Sequence, residues 1–189
     1  PTPAGKNTIV IVLADHGDGM GSHRMVTKQV SFYEEMTNVP FIIAGPGIHP
    51  RQKPVEDLLT QPTIDLLPTL CELAGIPVPS SKPGISLAPF LKGEKQKRQH
   101  PYAASEWHSE YEVTVSPGRM IRSPRYKYTH YLEGNGEELY DMLKDKGERR
   151  NLAHDPKYSK ILAEHRALLD DYIRRTQDDY RSLKVEADK

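Results

Sequence analysis

The hydrophobic pattern opens with an unbroken apolar run at residues 9–13, Ile-Val-Ile-Val-Leu. Because apolar and polar positions do not alternate, the run predicts a strand covered on both faces, as in a parallel sheet flanked by helices. A second run, Val-Pro-Phe-Ile-Ile-Ala at 39–44, stops at Gly45-Pro46-Gly47 and predicts another strand. The segment between the two runs is rich in glycine and polar residues. The pattern therefore indicates a strand, a functional loop and a strand.

Apolar spacings of three and four residues predict two helices downstream. The first lies near residues 63–74, with Thr63 or Asp65 available as its cap and Gly75 placed to end it. The second opens at Asp155-Pro156, a capping residue followed by a first-turn proline. Its apolar stripe runs along one face as far as residue 173 and includes His165, which therefore reads as structural.

Four short segments rich in Tyr and Ile predict an antiparallel meander at residues 101–106, 119–123, 126–132 and 137–140. A basic, solvated stretch at residues 92–98 precedes them and reads as a linker. We therefore predict two domains, residues 1–98 and 99–189, with an α/β fold in the first. The second combines the small antiparallel sheet with the long final helix.

Composition excludes several function classes. The chain has 26 acidic and 26 basic residues, so no net field attracts a polyanion, and we expect no nucleic-acid partner. No stretch approaches the ~20 apolar residues of a membrane span, and we expect no membrane association. The single cysteine, Cys71, rules out an internal disulfide and a cysteine-based zinc cluster, and it reads as a packed core residue.

The candidate chemistry begins at Asp15-His16, directly after the first predicted strand. The carboxyl edge of strands in open α/β sheets is where ligands bind. In a regular strand these two side chains would point to opposite faces, so the chain must leave the strand before them if they are to grip one divalent cation. Gly17, Gly19 and Gly21 supply backbones that turn without steric cost. Two ligands do not complete a metal site, and others must come from elsewhere.

Taken in order, the motifs resemble the second half of a sulfatase, a branch of the alkaline phosphatase superfamily. They are Asp15-His16-Gly17, Gly21-x-His23, Lys28, Phe32-Tyr33-Glu34-Glu35, the 39–47 run, Asp65-Leu66-Leu67-Pro68-Thr69, Arg125-Tyr126-Lys127-Tyr128, Glu138-Leu139-Tyr140-Asp141 and Asn151-Leu152-Ala153. The likeness covers nearly the whole chain. It implies the C-terminal part of an alkaline-phosphatase-like parallel-sheet sandwich, joined to the antiparallel subdomain.

The resemblance also implies roles for particular residues. Asp15 and His16 would be half of a divalent metal site, most often calcium in this family. Lys28 would contact the sulfate group, and His23 would contact substrate or assist protonation of the leaving group. Each residue has a plainer alternative: Asp15 as a turn cap, His16 as a hydrogen-bonded strand-end histidine, and Lys28 and His23 as surface side chains.

Sulfatases carry a formylglycine nucleophile, made from a Cys or Ser in a Cys-x-Pro-x-Arg setting, and a further pair of Asp ligands upstream. Neither motif occurs in these 189 residues. The resemblance thus predicts the C-terminal portion of an enzyme that hydrolyses sulfated small molecules or glycans, inactive by itself and prone to self-association. Two alternatives remain: a phosphonate or phosphodiester hydrolase of the same superfamily, and a non-catalytic binding module. The family points to a periplasmic, secreted or lysosomal-like compartment.

Overall fold

The structure, a computed structural model, describes residues 4–26, 28, 31–55, 58–81, 83–96, 99–108, 116–132 and 136–182. The chain divides into two compact units, one formed by residues 1–17 and 38–101, the other by residues 18–37 and 102–189. The domain limits of 1–98 and 99–189 stay a prediction, since compact units need not coincide with domains.

Strands and helices follow one another along the chain in this order: β1 (Val10–Leu13), α1 (Glu34–Thr37), β2 (Phe41–Ala44), α2 (Pro62–Ala74), α3 (Ala88–Leu91), β3 (Ala103–Trp107), β4 (Gly118–Arg122), β5 (Tyr126–Tyr131), β6 (Glu137–Asp141) and α4 (Ser159–Thr176). Single 3₁₀ turns lie at Ala4–Asn7, Ser22–Arg24, Pro156–Tyr158 and Tyr180–Ser182.

In the first unit, β1 and β2 form a two-stranded antiparallel ribbon in which Val12 lies opposite Ile42. Within the described residues β1 therefore pairs with an antiparallel neighbour, and the parallel pairing expected for this strand was wrong for the β1–β2 ladder. An unbroken apolar run shows that both faces are apolar, but it carries no information on strand direction. Val10, Val12 and Ile42 share one face of the ribbon and are 56%, 49% and 57% exposed.

Helix α2 confirms the periodicity seen in the sequence. It ends at Gly75, whose φ of 69° suits glycine, and the next residue returns a backbone N–H to the Cys71 carbonyl at 2.9 Å. Asp65 is fully buried and accepts hydrogen bonds from the Gln61 and Ile85 N–H groups at 2.7 and 2.8 Å. Its bond to Gln61 stabilises the start of α2, and its bond to Ile85 holds the loop before α3 in place. Cys71 is buried, in agreement with the packing role expected for it.

In the second unit, β3 to β6 form the predicted antiparallel meander in sequential order. Helix α4 packs on this sheet, after Asp155 caps the preceding 3₁₀ turn by accepting from the Lys157 N–H at 3.0 Å. The core between sheet and helix contains Tyr102, Ile121, Tyr128, Leu139, Leu152, Leu162 and Leu169. His165 is buried on the helix stripe, with Nε2 at 2.9 Å from Ser123 Oγ. The predicted mixed α/β class, with a small antiparallel sheet and a long C-terminal helix, is thus confirmed.

Residues 18–37 belong to this second unit because a buried ion cluster ties them to the sheet. Lys127 on β5 is 1% exposed and donates from Nζ to the Phe32 carbonyl at 2.8 Å. The same ammonium pairs with Glu34 at 2.7 Å and Glu148 at 2.9 Å. Glu148 in turn accepts from the Glu34 N–H at 2.6 Å. A buried ammonium with three oxygen partners fixes the start of α1 on the sheet.

None of the helices within the described ranges combines the length and apolar content needed to span a membrane.

Candidate functional site

Asp15 and His16 lie just beyond β1, which ends at Leu13, so the chain leaves the strand before the pair as the sequence required. Asp15 Oδ1 accepts the His16 backbone N–H at 2.9 Å. His16 Nδ1 lies 2.8 Å from the Gly17 carbonyl oxygen. A carbonyl only accepts, so this contact assigns the ring proton to Nδ1 and leaves the lone pair of the neutral imidazole on Nε2.

That lone-pair nitrogen faces the neighbouring carboxylate. His16 Nε2 lies 3.6 Å from Asp15 Oδ2, and the two side chains are 44% and 88% exposed. Metal ions bind imidazole nitrogen and carboxylate oxygen at about 2.0–2.6 Å, so both atoms can reach one cation. A metal-binding histidine needs a hydrogen-bond partner on its other ring nitrogen to fix the ring, and here the Gly17 carbonyl is that partner.

The pair is nonetheless incomplete as a metal site. Within the part of the chain that the structure describes, no group of three or more His, Cys, Asp or Glu side chains is placed to hold a metal ion. One oxygen and one nitrogen donor fit a divalent cation, but they do not determine which metal binds.

His23 lies in a tight turn, residues 19–25, that opens the second unit. Two backbone hydrogen bonds close it, from the Gly21 N–H to the Met25 carbonyl at 2.6 Å and from the Ser22 N–H to the Gly19 carbonyl at 2.7 Å. A Cβ on Gly19 would come within 2.4 Å of Met25 Cβ, so the turn requires glycine there. His23 itself has a φ of 48°, a conformation that non-glycine residues rarely adopt.

Side chains from the segment leading into α1 hold this turn. The His23 ring stacks on the Tyr33 ring, with centroids 3.6 Å apart and planes within 3° of parallel. Ser22 Oγ donates to Glu35 Oε1 at 2.5 Å. Burial pushes the pKa of Glu35 upward, but the hydrogen bonds from Ser22 and from its own backbone N–H, with the nearby His23, hold that pKa below its ordinary value. The Glu35 carboxylate is therefore a charged anchor for the turn.

Lys28 is exposed and lies in the same segment of the second unit as His23. The structure thus brings Asp15 and His16 together in the first unit and describes His23 and Lys28 in the second. The catalytic and binding roles of all four residues stay predictions.

Sequence reasoning gave no role to Tyr33, Glu35 or Arg24. Tyr33 and Glu35 belong to a motif noticed in the sequence, and their side chains prove to hold His23 and Ser22. Arg24 has a φ of 64° and carried no sequence signal, because a left-handed backbone at a non-glycine residue cannot be read from composition.

Comparison with known proteins places these features in context. Residues 21–175 match the family described as N-sulphoglucosamine sulphohydrolase, C-terminal. Over 187 residues the chain is 78% identical to the Δ4,5-hexuronate-2-O-sulfatase of Bacteroides thetaiotaomicron, covering 99% of this chain and 39% of that protein. The chain therefore spans about two fifths of the length of this curated relative.

Solved structures of similar proteins superpose on this chain. A 2-O GAG sulfatase of known structure superposes with a TM-score of 0.95 at 78% identity, covering 99% of this chain and 40% of that one. The phosphonate monoester hydrolase of Agrobacterium radiobacter superposes with a TM-score of 0.75 at 26% identity, covering 92% and 36%.

Proposed function

Because the chain belongs to the N-sulphoglucosamine sulphohydrolase C-terminal family, we propose that it forms the C-terminal part of a sulfatase, an enzyme that hydrolyses sulfuric esters. The share of the curated relative that it spans, 39%, supports this assignment. The rest of such an enzyme would supply a formylglycine nucleophile and the remaining metal ligands. The 189 residues alone are accordingly expected to be inactive.

The observation that carries the proposal is the arrangement of Asp15 and His16. Their facing oxygen and nitrogen atoms, 3.6 Å apart, are two ligands for one divalent cation. Such a cation supplies positive charge that orients the nucleophile and offsets charge developing on the sulfuryl oxygens. Asp15 contributes charge, and His16 contributes a neutral donor whose orientation the Gly17 carbonyl fixes.

We propose calcium as the ion, from family resemblance. Calcium takes six to eight ligands, nearly all of them oxygen. The proposal therefore requires that the ligands beyond Asp15 and His16 be rich in oxygen. A site completed by nitrogen or sulfur donors would instead favour a transition metal.

The two residues of the second unit would act on the substrate. Lys28 would place its ammonium against a sulfuryl oxygen as a point charge. His23 would contact the substrate or deliver a proton to the leaving oxygen, which requires a fixed ring orientation. The stack on Tyr33 supports that second role, because it restricts rotation of the His23 ring.

We propose a sulfated glycan as the substrate, and a periplasmic, secreted or lysosomal-like compartment for the enzyme. The substrate class is supported by the names of the relatives, a hexuronate-2-O-sulfatase and a 2-O GAG sulfatase. The compartment rests on family resemblance alone.

A second candidate is a phosphonate or phosphodiester hydrolase. The observation in its favour is the superposition on the phosphonate monoester hydrolase at a TM-score of 0.75. The higher identity to sulfatases, 78% against 26%, makes sulfate-ester hydrolysis the better supported of the two.

The test uses the whole natural protein purified from its own source. Peptide mapping should find an aldehyde-bearing residue upstream of this chain, and turnover should be faster on a sulfated uronic acid disaccharide than on phenyl phosphonate esters. The reverse preference would favour the second candidate. If the natural protein lacks the aldehyde and hydrolyses neither compound, the remaining hypothesis is a non-catalytic binding module.

Metal binding is tested separately by calorimetry with calcium after chelation. Asp15→Asn and His16→Gln should each weaken calcium affinity by at least about 10- to 100-fold, the loss already typical of removing a residue that only supports a ligand. The matched controls are Asp171→Asn and His154→Gln, both in the second unit. Equal calcium affinity in the wild type and the two Asp15 and His16 variants would contradict the proposed metal site.

A further inference from the structure

Arg24 occupies an exposed position in the 19–25 turn, in a backbone conformation that is costly for an arginine. Three non-glycine residues of this short turn have positive φ angles: Met20 at 43°, His23 at 48° and Arg24 at 64°. Such strain persists only where the surroundings impose it, and it concentrates at ligand-binding and catalytic sites.

The surroundings impose it here by anchoring every neighbour of Arg24. On one side, Ser22 is bonded to Glu35 and the His23 ring is stacked on Tyr33. On the other side, Met25 is buried and its N–H donates to the Ser22 carbonyl at 2.8 Å. These contacts fix the backbone of Arg24 and leave its side chain exposed.

Arg24 differs from other arginines of the same unit in how its charge is paired. Arg119 is paired with Asp178 at 2.6 Å, and Arg125 with Asp141 at 2.7 Å. No carboxylate of the described residues forms a salt bridge with Arg24. An exposed guanidinium on a fixed backbone, next to His23 in sequence and without an acidic partner among the described residues, is suited to an anion from outside the chain.

We propose that Arg24 binds a carboxylate of the substrate, a second anionic group distinct from the sulfate ester. The planar guanidinium offers two parallel N–H donors that match the two oxygens of a carboxylate, which an ammonium does not. A sulfated uronic acid carries both groups on one ring. This assignment rests on the proposed sulfatase function and makes Arg24 the residue that selects acidic over neutral sulfated sugars.

The experiment compares two substrates in the whole natural enzyme: a disaccharide with a 2-O-sulfated uronic acid, and the same disaccharide with its carboxyl reduced to an alcohol. Arg24→Ala should lower kcat/KM on the acidic substrate by roughly 10- to 100-fold, mainly through KM, because one charged hydrogen-bonded contact is lost. On the reduced substrate the change should stay within about twofold, since neither enzyme can make that contact.

Two further variants sharpen the comparison. Arg24→Lys should recover only part of the preference, because an ammonium lacks the paired donors. Arg174→Ala removes an arginine from the exposed face of α4, where the side chain is 78% exposed, and should leave both substrates unaffected.

An equal loss on both substrates, or no loss on either, would overturn the role of Arg24. If the wild type hydrolyses the two disaccharides equally well, the sulfatase function stands and the Arg24 proposal fails. If the wild type hydrolyses neither disaccharide but does hydrolyse phosphonate esters, both proposals fail.

Discussion

The ammonium of Lys127 lies 2.9 Å from a carboxylate oxygen of Glu148, and both side chains are 1% exposed. Glu34, at 2.7 Å from the same nitrogen, makes the pair a triad with one cation and two anions. Burial raises the pKa of Glu148, and Lys127 opposes that rise. The lysine thus stabilises a carboxylate that the interior would otherwise disfavour.

Lys127→Met should therefore destabilise the chain by about 3–5 kcal/mol, because it leaves the buried carboxylate of Glu148 without its cation. Urea unfolding followed by circular dichroism measures the change. Adding Glu148→Gln to Lys127→Met should recover part of the loss, since one uncompensated charge is removed. Strictly additive losses in the double variant would show that the two groups are not coupled.

Glu137 makes the stability of the second unit sensitive to acid. The Arg166 hydrogen bond lowers the pKa of Glu137 to about 2; burial acts in the opposite direction, and the hydrogen bond from Tyr128 adds to the lowering. A carboxyl whose folded pKa lies below its ordinary value of 4.5 stabilises the fold above that value. This contribution should disappear as pH falls from about 4.5 towards 2.

Glu137→Gln should cost about 1–2 kcal/mol at neutral pH, after a discount for the solvent around the half-exposed Arg166, and should cost little near pH 2. Urea unfolding at the two pH values measures both. Glu138→Gln is the matched control: burial, with repulsion from Glu148, raises the pKa of Glu138, so its ionisation opposes folding at neutral pH. That variant should be neutral or stabilising there. The same loss in both variants would contradict the assignment.

The open face of the β1–β2 ribbon predicts self-association of the isolated chain. Val12 and Ile42 are cross-strand partners and are about half exposed. Contiguous apolar surface of this kind drives association. Light scattering with size-exclusion chromatography should show a mass that rises with concentration. Val12→Thr with Ile42→Thr keeps β-branched side chains and should reduce it, whereas Val78→Thr, at an exposed site outside the ribbon, should not. A strictly monomeric wild-type chain would contradict this prediction.

Lys28 is expected to act in turnover. Lys28→Ala in the whole natural enzyme should lower kcat by about 10²–10³, the effect of removing one group that stabilises developing charge. Lys160→Ala, at an exposed position on α4, is the control for loss of a lysine. Steady-state kinetics that match the wild type would remove Lys28 from the site.

Much of the second unit could be predicted from sequence because its signals are local. The Tyr- and Ile-rich segments predict strands, and the apolar stripe of α4 predicts a helix. The short turns between the strands then require neighbouring strands to pair antiparallel. The direction of β1 relative to β2 could not be predicted, since both faces of each run are apolar. The position of residues 18–37 depends on a buried lysine 95 residues beyond Phe32. Lysine is so seldom buried that the hydrophobic pattern of the sequence predicts an exposed side chain at this position.

The candidate site divides in the same way. The proximity of Asp15 and His16 follows from a strand that must end before them, and it was predicted. The orientation of His23 arises from a left-handed backbone and from a stack on Tyr33. Neither feature can be predicted from the amino-acid sequence. Arg24 was missed for the same reason.

The contact between Lys127 and Phe32 also sets an order of events during synthesis on the ribosome. Another 95 residues must be translated after Phe32 before its carbonyl can meet the Lys127 ammonium. At about 5–20 residues per second, the emerging His23 segment waits roughly 5–20 s without the sheet that holds it. Throughout that interval residues 18–37 lack the buried lysine that fixes them in the finished protein, so during synthesis they are accessible to chaperones and proteases.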